Sequence, residues 1–516
     1  MEHEGGKAGR REGCGIVGIA LAQGEVAWPI FYALYALQHR GQESAGIAVS
    51  SGVQGGAEAG SGDQKKITVL KEMGLVSEVF TPPRLAELKG LFGIGHVRYP
   101  TSGPPKEENA EPLLVTYRDG ELAIAHNGNL VNTGALRNAL EKEGRIFHSD
   151  TDTEVFAQLL AKKLLHHPPI EALKEVMECV VGSYSLVLLL NETLLAVRDP
   201  WSIKPLCLGR VRAGAGELGE GYIVASESPA IELLGGEFIR DLGPGEVLVI
   251  TPSGCQSSVA PARSQSSAAP APHQELTVTS HRLVRGAQTA HCVFEYIYFA
   301  RPDSVIDGQV VYDVRLKIGE RLADEHPVDA DIVSPVPDSG ITFAIGYAKR
   351  SGIDYAESLI KNRYVGRTFI MPEQRSRDIA VRLKLNVVRA NVAGKRIVLV
   401  DDSIVRGTTS RRLVAYLKQQ GAKEVHVRIG SPPIIAPCYL GIDTPTREEL
   451  VASRLSLEEV RTYLKADSIG YVSLDGLIEA VGMAEQQLCL GCLTSSYPVE
   501  IPGELCRSRQ LDLTHF

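Results

Sequence analysis

The sequence lacks any run of about twenty consecutive apolar residues, the length that a membrane-spanning helix needs. Its first thirteen residues contain no apolar stretch, so they do not form a secretory signal. Basic residues are not in excess, because 54 Lys and Arg accompany 62 Asp and Glu and the net charge is −8. These absences exclude a membrane-spanning protein and remove the electrostatic reason for a nucleic-acid or membrane-surface partner. We therefore expect a cytoplasmic protein.

Cysteine is scarce, and its count is odd: nine residues are widely spread along the chain and follow no secretory signal. Such a pattern argues against a disulfide framework and indicates thiol or metal chemistry in a reducing compartment. Charged residues make up 22% of the chain and hydrophobic residues 44%, as in ordinary globular proteins. At about 150 residues per domain, the 516 residues correspond to roughly three domains or to two large ones.

Changes in composition divide the chain into segments. Residues 1–13 are a polar leader, and residues 14–252 alternate short apolar runs with amphipathic helical stretches, which indicates a strand-rich α/β structure. Residues 253–275 are rich in Ser, Ala and Pro and indicate a linker or insertion. Residues 276–465 repeat strand, turn and helix, which predicts a doubly wound parallel sheet. Residues 466–516 are expected to form a C-terminal helical segment.

One such strand, turn and helix unit carries a cluster of polar residues. Its apolar strand ends in Asp401 and Asp402, and a short polar loop then opens a helix. Backbone N–H groups at a helix N-terminus bind anions, while neighbouring carboxylates bind sugar hydroxyls or magnesium, so a phosphorylated ribose satisfies both parts. If the carboxylate pair or the polar loop occurred alone, two solvated acids before an N-capped helix would explain it. That simpler explanation does not account for the carboxylates, the glycine and three hydroxyls within ten residues. The loop residues are Arg406, Gly407, Thr408, Thr409 and Ser410.

This unit resembles the phosphoribosyl-pyrophosphate (PRPP) loop of type I phosphoribosyltransferases. The resemblance extends to VPDSG at 336–340, on the pyrophosphate side, and to KNRYVGRTFIMPEQRSRD at 361–378, which matches the mobile basic loop of that family. Basic side chains there would stabilise the charge that develops on a pyrophosphate leaving group. The resemblance implies a PRPP-binding set of Asp401, Asp402, Arg406, Gly407, Thr408, Thr409, Ser410, Lys361 and Arg363.

The same resemblance implies a magnesium ion beside Ser339, Asp401 and Asp402. For Ser339 the alternative of a turn-capping hydroxyl explains the residue equally well. The loop contains neither GxxxxGK nor GxGxxG, which disfavours a nucleoside-triphosphatase loop or a dinucleotide-binding fold. No HxxxH spacing occurs among the thirteen histidines, so packing or hydrogen bonding is the expected role of each.

Cys14 opens an apolar strand between two glycines, and such a residue is more often a buried thiol than a nucleophile. Removal of the leader would change this expectation. Cys14 would then be the N-terminal residue, and its α-amine, with a pKa of about 7.7–8.0, would serve as the general base for the thiol.

The first half resembles the N-terminal-nucleophile glutamine amidotransferases through five motifs in the expected order. They are CGIVGI at the start, LQHRGQESAGI (37–47), GIGHVRYPTSG (93–103), AHNGNL (125–130) and SDTDTEV (149–155). The implied fold is an αββα sandwich that spans residues 14–252.

The resemblance also assigns roles. Cys14 attacks the glutamine amide, the Asn127 side chain and the Gly128 N–H form the oxyanion hole, Arg98 binds the α-carboxylate, and Asp152 binds the α-ammonium. Each residue type suits the charge that it meets. Asn127 and Gly128 alone would instead indicate a hairpin turn.

The remaining cysteines include a CxxC pair, Cys489 and Cys492, and two isolated residues, Cys292 and Cys438. A lone CxxC is compatible with zinc, a redox pair or an iron–sulfur site. In their local contexts these four residues resemble the ligands of the iron–sulfur class of glutamine PRPP amidotransferases, whose members carry a [4Fe-4S] cluster and a propeptide. We expect Cys179 and Cys207 to be core thiols and Cys255 to lie in the linker, and Cys506 receives no role.

Together the two halves resemble the amidophosphoribosyltransferase family. The resemblance implies that glutamine, PRPP and water give 5-phosphoribosylamine, glutamate and pyrophosphate, the first committed step of purine synthesis, with ammonia passed between sheltered sites. It also implies a homotetramer and purine-nucleotide feedback inhibition. A glucosamine-6-phosphate synthase type of amidotransferase is disfavoured by the PRPP loop. A PRPP-sensing regulator is disfavoured by the complete set of glutaminase residues.

Overall fold

The structure is a computed structural model that describes residues 13–51, 66–99, 106–212, 219–253, 275–362, 385–444 and 446–502. Several expectations lie outside the described residues: the leader up to residue 12, most of the 361–378 loop with Arg363, the greater part of the 253–275 segment with Cys255, and Cys506. Within the described ranges, no helix is both long enough and apolar enough to cross a bilayer.

The first half of the chain is built mainly from strands. Its strands are β1 (Gly15–Leu21), β2 (Ser44–Ser51), β3 (Lys66–Met73), β4 (Phe92–Arg98), β5 (Leu113–Tyr117), β6 (Gly120–Leu130), β7 (Gly182–Leu190), β8 (Thr193–Arg198), β9 (Cys207–Val211), β10 (Gly221–Ala225), β11 (Glu237–Asp241), β12 (Glu246–Pro252) and β13 (Leu276–Arg282). Its helices are α1 (Ala27–Ala36), α2 (Val76–Val79), α3 (Pro82–Leu85), α4 (Thr133–Lys142), α5 (Asp152–Lys163), α6 (Pro169–Cys179) and α7 (Pro229–Glu232), with a 3-10 turn at Glu107–Asn109.

These strands form two antiparallel sheets that pack face to face. The orders are β11-β9-β10-β1-β4-β2-β3 and β13-β12-β8-β7-β6-β5. Between the sheets lies an apolar layer that includes Ile16 and Ile94 from the first and Val187 from the second. Helix α1 packs on the outer face of the first sheet, while α5 and α6 cover the second. The predicted αββα sandwich is therefore confirmed. Strand β7 is buried on both faces, in agreement with the apolar run at residues 186–190.

The second half contains β14 (His291–Cys292), β15 (Val305–Ile306), β16 (Gln309–Val310), β17 (Ile332–Pro335), β18 (Leu359–Lys361), β19 (Leu385–Val387), β20 (Arg396–Asp401), β21 (Glu424–Ile429), β22 (Ser468–Tyr471) and β23 (Leu488–Cys489). Its helices are α8 (Val311–Glu325), α9 (Ile341–Ser351), α10 (Thr408–Gln419), α11 (Val451–Arg454), α12 (Leu457–Leu464), α13 (Leu474–Val481) and α14 (Gly491–Thr494). Glu295–Phe299 forms a π-helical turn, and 3-10 turns lie at Arg389–Asn391, Arg447–Glu449 and Glu485–Gln487.

Strands β17, β20, β21 and β22 form a parallel sheet in that order. Its two faces carry different helices: Val398 packs with α8 and α9, whereas Ile397 and Leu399 pack with α10 and α12. Alternate residues of β20 thus face opposite layers, as a strand's period of two requires. The predicted doubly wound parallel sheet is confirmed.

Two strands lie outside the segments in which the sequence predicted their sheets. Strand β13 follows the 253–275 segment, yet it pairs with β12 and so extends the second sheet of the sandwich. Strand β22 falls in the 466–516 segment, which therefore contributes a strand to the parallel sheet as well as helices.

The two expected core thiols differ. Cys207 is buried in the first sheet, as expected, but Cys179 is exposed. The expectation for Cys179 is wrong because this residue ends helix α6, and its side chain lies outside the apolar layer that Val176 and Met177 enter.

Candidate functional site

Cys14 stands immediately before β1, a central strand of the first sheet. Its carbonyl oxygen accepts a hydrogen bond from Arg40 Nε at 3.0 Å, and its Sγ donates to the Tyr99 carbonyl at 3.5 Å. Burial raises the pKa of the thiol to about 12, and the negative charge of Glu111 acts in the same direction. The thiol is therefore protonated at neutral pH and requires a base before it can act as a nucleophile.

Asn127 lies on β6 of the second sheet and is fully buried. Neither its Oδ1 nor its Nδ2 makes a hydrogen bond to any residue that the structure describes. A buried amide left without partners costs about 1–3 kcal/mol per group, so such an arrangement indicates a site built for a ligand. A Cβ built on Gly13 would lie 3.8 Å from Asn127 Oδ1, so the residue before Cys14 runs beside this amide.

Gly128 follows Asn127, and no other residue fits at its position. A Cβ there would stand 2.1 Å from the Ser183 carbonyl oxygen, and its φ of +156° is rare for a residue with a side chain. On its other side Gly128 meets Gly441, whose own Cβ would lie 2.9 Å from the Gly128 carbonyl carbon. The predicted oxyanion strand is thus packed tightly between the second sheet and a loop from the second half of the chain.

Arg98 and Asp152 occupy the surroundings of Cys14. Arg98 ends β4, which pairs directly with β1, and its guanidinium forms an ion pair with Glu43. Asp152 begins α5, and its carboxylate accepts hydrogen bonds from the N–H groups of Leu130 at 2.8 Å and Thr153 at 3.1 Å. The charges of Arg98 and Asp152 both act on the Cys14 thiol. The structure therefore brings together the glutaminase residues that the sequence predicts.

Sequence reasoning missed a buried network beneath this site. Glu111 accepts hydrogen bonds from the His126 N–H at 2.7 Å and from the Thr153 hydroxyl at 2.6 Å. The His126 ring is 3.1 Å from the same hydroxyl, and the His96 ring lies 3.1 Å from the His126 carbonyl oxygen. Burial raises the pKa of Glu111 and lowers the pKa of His96 to about 3. The expected hydrogen-bonded role of the histidines is met at His96 and His126, which lie within quoted motifs, whereas Glu111 lies in none of them and was missed.

The predicted PRPP residues lie at the carboxyl edge of the parallel sheet. Strands β17 and β20 are neighbours, with Pro335 opposite Val400, so the 336–340 loop and the 401–407 loop share this edge. Asp402 is buried, and its N–H donates to the Asp401 carboxylate at 3.0 Å. Lys361 forms an ion pair with Asp338 across the edge. The structure thus places the loop of Ser339 beside Asp401 and Asp402, while Arg363 lies outside the described residues.

Helix α10 begins at Thr408, directly after Gly407. Gly407 adopts a left-handed conformation with φ of 71°, which turns the chain from the strand into the helix. The N-terminus of α10, with Thr408, Thr409 and Ser410, therefore faces the edge that holds the carboxylates. Arg406 is partly exposed and pairs with Glu449 at 2.8 Å. Backbone donors, hydroxyls and an arginine at one helix start are suited to a phosphate.

The four cysteines predicted as ligands converge between the two halves. Cys292 pairs with Cys489 across a short parallel bridge of β14 and β23. The Cys492 carbonyl accepts hydrogen bonds from the N–H groups at 435 and 436, two residues before Cys438. Burial raises the pKa of Cys292 to about 11 and also raises the pKa of Cys489, and the charge of Cys438 acts on both thiols. The described part of the chain contains no group of three or more His, Cys, Asp or Glu arranged around a single metal ion.

A second missed group joins this cysteine cluster to Cys14. Arg40, which bonds the Cys14 carbonyl, also donates to Glu295 at 2.8 and 3.0 Å and to Glu227 at 2.5 Å. Lys204 is fully buried and lies 3.6 Å from Glu295. These charges come from distant parts of the sequence, and only Arg40 belongs to a motif quoted above.

The loop after Cys438 touches the oxyanion strand. Asn129 Nδ2 donates to the Tyr439 carbonyl at 2.9 Å, and the Ser183 hydroxyl donates to the Leu440 carbonyl at 2.9 Å. A short stretch of chain therefore runs from the cysteine cluster to the residue beside Gly128. The glutaminase site is walled on this side by the second half of the chain.

Comparison with known proteins matches both halves. A glutamine amidotransferase domain model matches residues 101–232, and a phosphoribosyl transferase domain model matches residues 311–429. The amidophosphoribosyltransferase of Archaeoglobus fulgidus is 52% identical over 497 residues, which cover 96% of this chain and 99% of that protein.

Two solved structures have the same architecture along most of the chain. One is the glutamine PRPP amidotransferase of Bacillus subtilis in complex with ADP and GMP, with a TM-score of 0.82 and 42% identity, covering 95% of this chain and 98% of that one. The other, described as the allosteric regulatory enzyme of purine biosynthesis, has a TM-score of 0.83 and 42% identity and covers 95% and 97%.

Proposed function

The chain belongs to the amidophosphoribosyltransferase family, which catalyses the first step of purine biosynthesis, and from this premise we propose that Cys14 is its glutaminase nucleophile. The observation that carries the proposal is the buried, unbonded amide of Asn127 beside the residue that precedes Cys14. A glutamine amide placed there would bring its carbonyl oxygen to Asn127 and Gly128. The Cys14 sulfur would attack the carbonyl carbon, ammonia would leave, and water would hydrolyse the resulting glutamyl thioester.

Glutamine itself would be held by its α-groups. Its carboxylate would take Arg98 in place of Glu43, and its ammonium would meet Asp152. The proximity of both charges to the Cys14 thiol supports these roles. Guanidinium pairs with carboxylate in a two-pronged geometry, which orients the substrate as well as binding it.

We also propose that the chain is made as a precursor and cleaved before Cys14. The raised pKa of the thiol, about 12, leaves it inert at neutral pH while residue 13 is attached. Cleavage would free an α-amine with a pKa of about 7.7–8.0, which removes the thiol proton. It would also clear the segment that passes Asn127 Oδ1 and open the oxyanion hole.

At the sheet edge, the proposed ligand is PRPP with magnesium. Asp401 and Asp402 would meet ribose hydroxyls and the ion, and Ser339 would supply an oxygen from the neighbouring loop. One or two carboxylates with substrate oxygens and water form a donor set that magnesium prefers. The ion would neutralise charge on the pyrophosphate as it departs.

The remaining PRPP contacts come from the helix start and the basic residues. The N-terminus of α10, with Arg406, Gly407, Thr408, Thr409 and Ser410, would bind the 5-phosphate, and Lys361 with Arg363 would contact the pyrophosphate. Ammonia would attack C1 of the ribose while the bond from C1 to the pyrophosphate oxygen breaks.

Ammonia must pass between the two sites without protonation by water. The contacts of Tyr439 and Leu440 with the oxyanion strand support a direct route along this wall. An enclosed passage keeps ammonia in its neutral, nucleophilic form.

The cysteines Cys292, Cys438, Cys489 and Cys492 are proposed to bind a [4Fe-4S] cluster. Their convergence from separate segments and the buried ammonium of Lys204 nearby fit an anionic thiolate-bound group. The thiolates of a cubane bind four different irons, so a grouping around one ion is not required. When bound, the cluster would tie the C-terminal segment to the loop that walls the glutaminase site.

For regulation and subunit assembly, the proposal rests on the relatives of this chain. The Bacillus subtilis structure contains ADP and GMP, which supports inhibition of this chain by purine nucleotides. A homotetramer in a reducing, cytoplasmic environment is proposed on the same kinship.

The direct test uses a glutamine analogue that alkylates the glutaminase nucleophile, 6-diazo-5-oxonorleucine. Purified protein is labelled, digested and examined by mass spectrometry, and intact mass is recorded before labelling. The expected result is a single adduct on Cys14 in a chain whose mass begins at that residue. A label on another cysteine, or an active chain that retains residues 1–13, would contradict the proposal.

A further inference from the structure

Lys204 is a buried lysine to which the proposed reaction assigns no role. It follows β8 and is fully buried. Its carbonyl oxygen accepts hydrogen bonds from the Ser185 hydroxyl at 3.1 Å and from Arg198 Nε at 2.9 Å. These two hydrogen bonds fix the main chain at Lys204, and so they fix the position from which its side chain extends.

The ammonium of Lys204 makes no hydrogen bond among the residues that the structure describes. Its nearest carboxylate oxygen, on Glu295, is 3.6 Å away, and that carboxylate already accepts two hydrogen bonds from Arg40. The ring of Phe299 lies 5.4 Å from the ammonium. Burying a cation whose N–H groups lack hydrogen-bond partners destabilises the folded protein, and a nearby negative group offsets that destabilisation.

The cysteine cluster is the available partner. The Cys292 N–H donates to the carbonyl of Ile203 at 3.0 Å, which fixes this cysteine next to Lys204 in the fold. Burial lowers the pKa of this ammonium, whereas the thiolate forms of Cys292 and Cys438 raise it. A Cβ on Gly13 would lie 3.6 Å from Lys204 Nζ, so the ammonium also lies beside the residue that precedes Cys14.

We propose that Lys204 is the counter-cation of the iron–sulfur group held by Cys292, Cys438, Cys489 and Cys492. Four thiolates outweigh the charge of the cluster core, so the group is anionic, and three of its four cysteines are buried. The ammonium compensates part of that charge and favours the reduced, more negative form. This inference rests on the proposed cluster, and it adds a residue that positions charge without being a ligand.

The test compares four proteins purified without oxygen: the unchanged chain, Lys204→Met, Lys204→Arg and the control Lys89→Met. Lys89 is an exposed lysine in an ion pair with Glu25, far from the cysteines in sequence. Iron and sulfide per chain, the midpoint reduction potential and the rate of bleaching in air are measured. Lys204→Met is expected to lower the potential and, as for other outer-shell changes, to weaken cluster retention by about tenfold or more. Lys204→Arg and Lys89→Met stay close to the unchanged chain.

A further variant distinguishes charge compensation from packing. Glu295→Gln removes the carboxylate that competes for the ammonium, so it is expected to raise the potential, opposite to Lys204→Met. If Lys204→Met is poorly folded, the double variant Lys204→Met with Glu295→Gln, compared with Glu295→Gln alone, still isolates the effect of Lys204 on the potential. Equal potentials in the unchanged chain, Lys204→Met and Glu295→Gln would overturn the role of Lys204 alone. An unchanged chain that takes up no iron after incubation with ferrous iron and sulfide would overturn the cluster proposal as well.

Discussion

The two candidate substrate sites differ in whether their polar side chains already have partners. In the glutaminase site Asn127 is fully buried and makes no hydrogen bond within the described residues, whereas Lys361 and Arg406 at the sheet edge are partly exposed and paired with Asp338 and Glu449. A site enclosed by protein can keep donors unused because its scaffold holds them in place. An open edge lets its charged side chains pair with each other. On the proposal above, glutamine would meet an amide at Asn127 that has no partner within the described residues and would displace one ion pair, at Arg98, whereas PRPP would displace the ion pairs of both Lys361 and Arg406.

The largest expected effect separates the two sites completely. Cys14→Ala is expected to abolish glutamine-dependent formation of phosphoribosylamine and to leave synthesis from added ammonia intact, because only the first site loses its nucleophile. Pyrophosphate release is measured with either nitrogen donor. Cys179→Ala, which changes an exposed thiol, is the control and should retain both activities. Substantial glutamine use by Cys14→Ala would sink the assignment.

The second prediction concerns the pH dependence of the buried thiol. In the chain that retains residue 13, the pKa of Cys14 is raised to about 12, so thiolate forms only as the pH rises far above neutrality. Alkylation of Cys14 by iodoacetamide should stay slow up to pH 9 or so, about 10³-fold slower than for a thiol with a pKa near 9, since each pH unit is tenfold. A chain expressed to begin at Cys14 should react faster, with a rise near pH 8. Identical profiles, measured by peptide mass spectrometry, would contradict the role of the leader.

Asn127→Ala tests whether the unbonded amide serves chemistry or packing. Loss of one oxyanion donor costs about 10²–10³ in kcat, so glutamine hydrolysis should fall by that factor while ammonia-dependent synthesis persists. Thermal stability should not decrease by more than the lost packing, because the amide makes no hydrogen bond within the described residues. Asn132→Ala is the matched control, since its amide donates to the carbonyl of the exposed Cys179, and it should retain glutamine hydrolysis. An Asn127→Ala protein with full glutaminase activity would leave the oxyanion hole without its side-chain donor.

The smallest expected effect comes from the open edge. Glu449→Gln removes the partner of Arg406 and should lower the KM for PRPP by about two- to fivefold at unchanged kcat, because exposed ion pairs contribute about 0.2–1 kcal/mol. Steady-state kinetics at saturating ammonia measure this. Glu458→Gln, which removes an equivalent exposed pair with Arg461 on α12, serves as control. A raised KM for Glu449→Gln would show that the pair helps PRPP to bind.

Local sequence patterns predicted most of the fold. Alternating and continuous apolar runs predicted the strands of the sandwich, and the strand, turn and helix repeats predicted the parallel sheet. Boundaries between segments were less accessible: β13 pairs with β12 across the 253–275 segment, and β22 joins the sheet from within the C-terminal segment. Pairing of strands distant in sequence is a long-range choice that residue patterns do not encode locally.

The candidate sites divide in the same way. Cys14, Arg98, Asn127 and Asp152 lie in motifs whose residue types suggest their chemistry, and the structure brings them together. Cys179 shows the limit, because it was expected to be a core thiol and its position at the end of a helix leaves it exposed.

The sequence by itself determined the two catalytic halves, their order and the residues that could react, because these depend on local periodicity and on side-chain chemistry. Only the tertiary structure decided which charges meet in the interior. Arg40, Lys204, Glu295 and Cys292 come from widely separated segments, and burial makes their interactions strong by removing water from between them. Burial also leaves the Asn127 amide without a hydrogen bond to any described residue, and no sequence pattern predicts this.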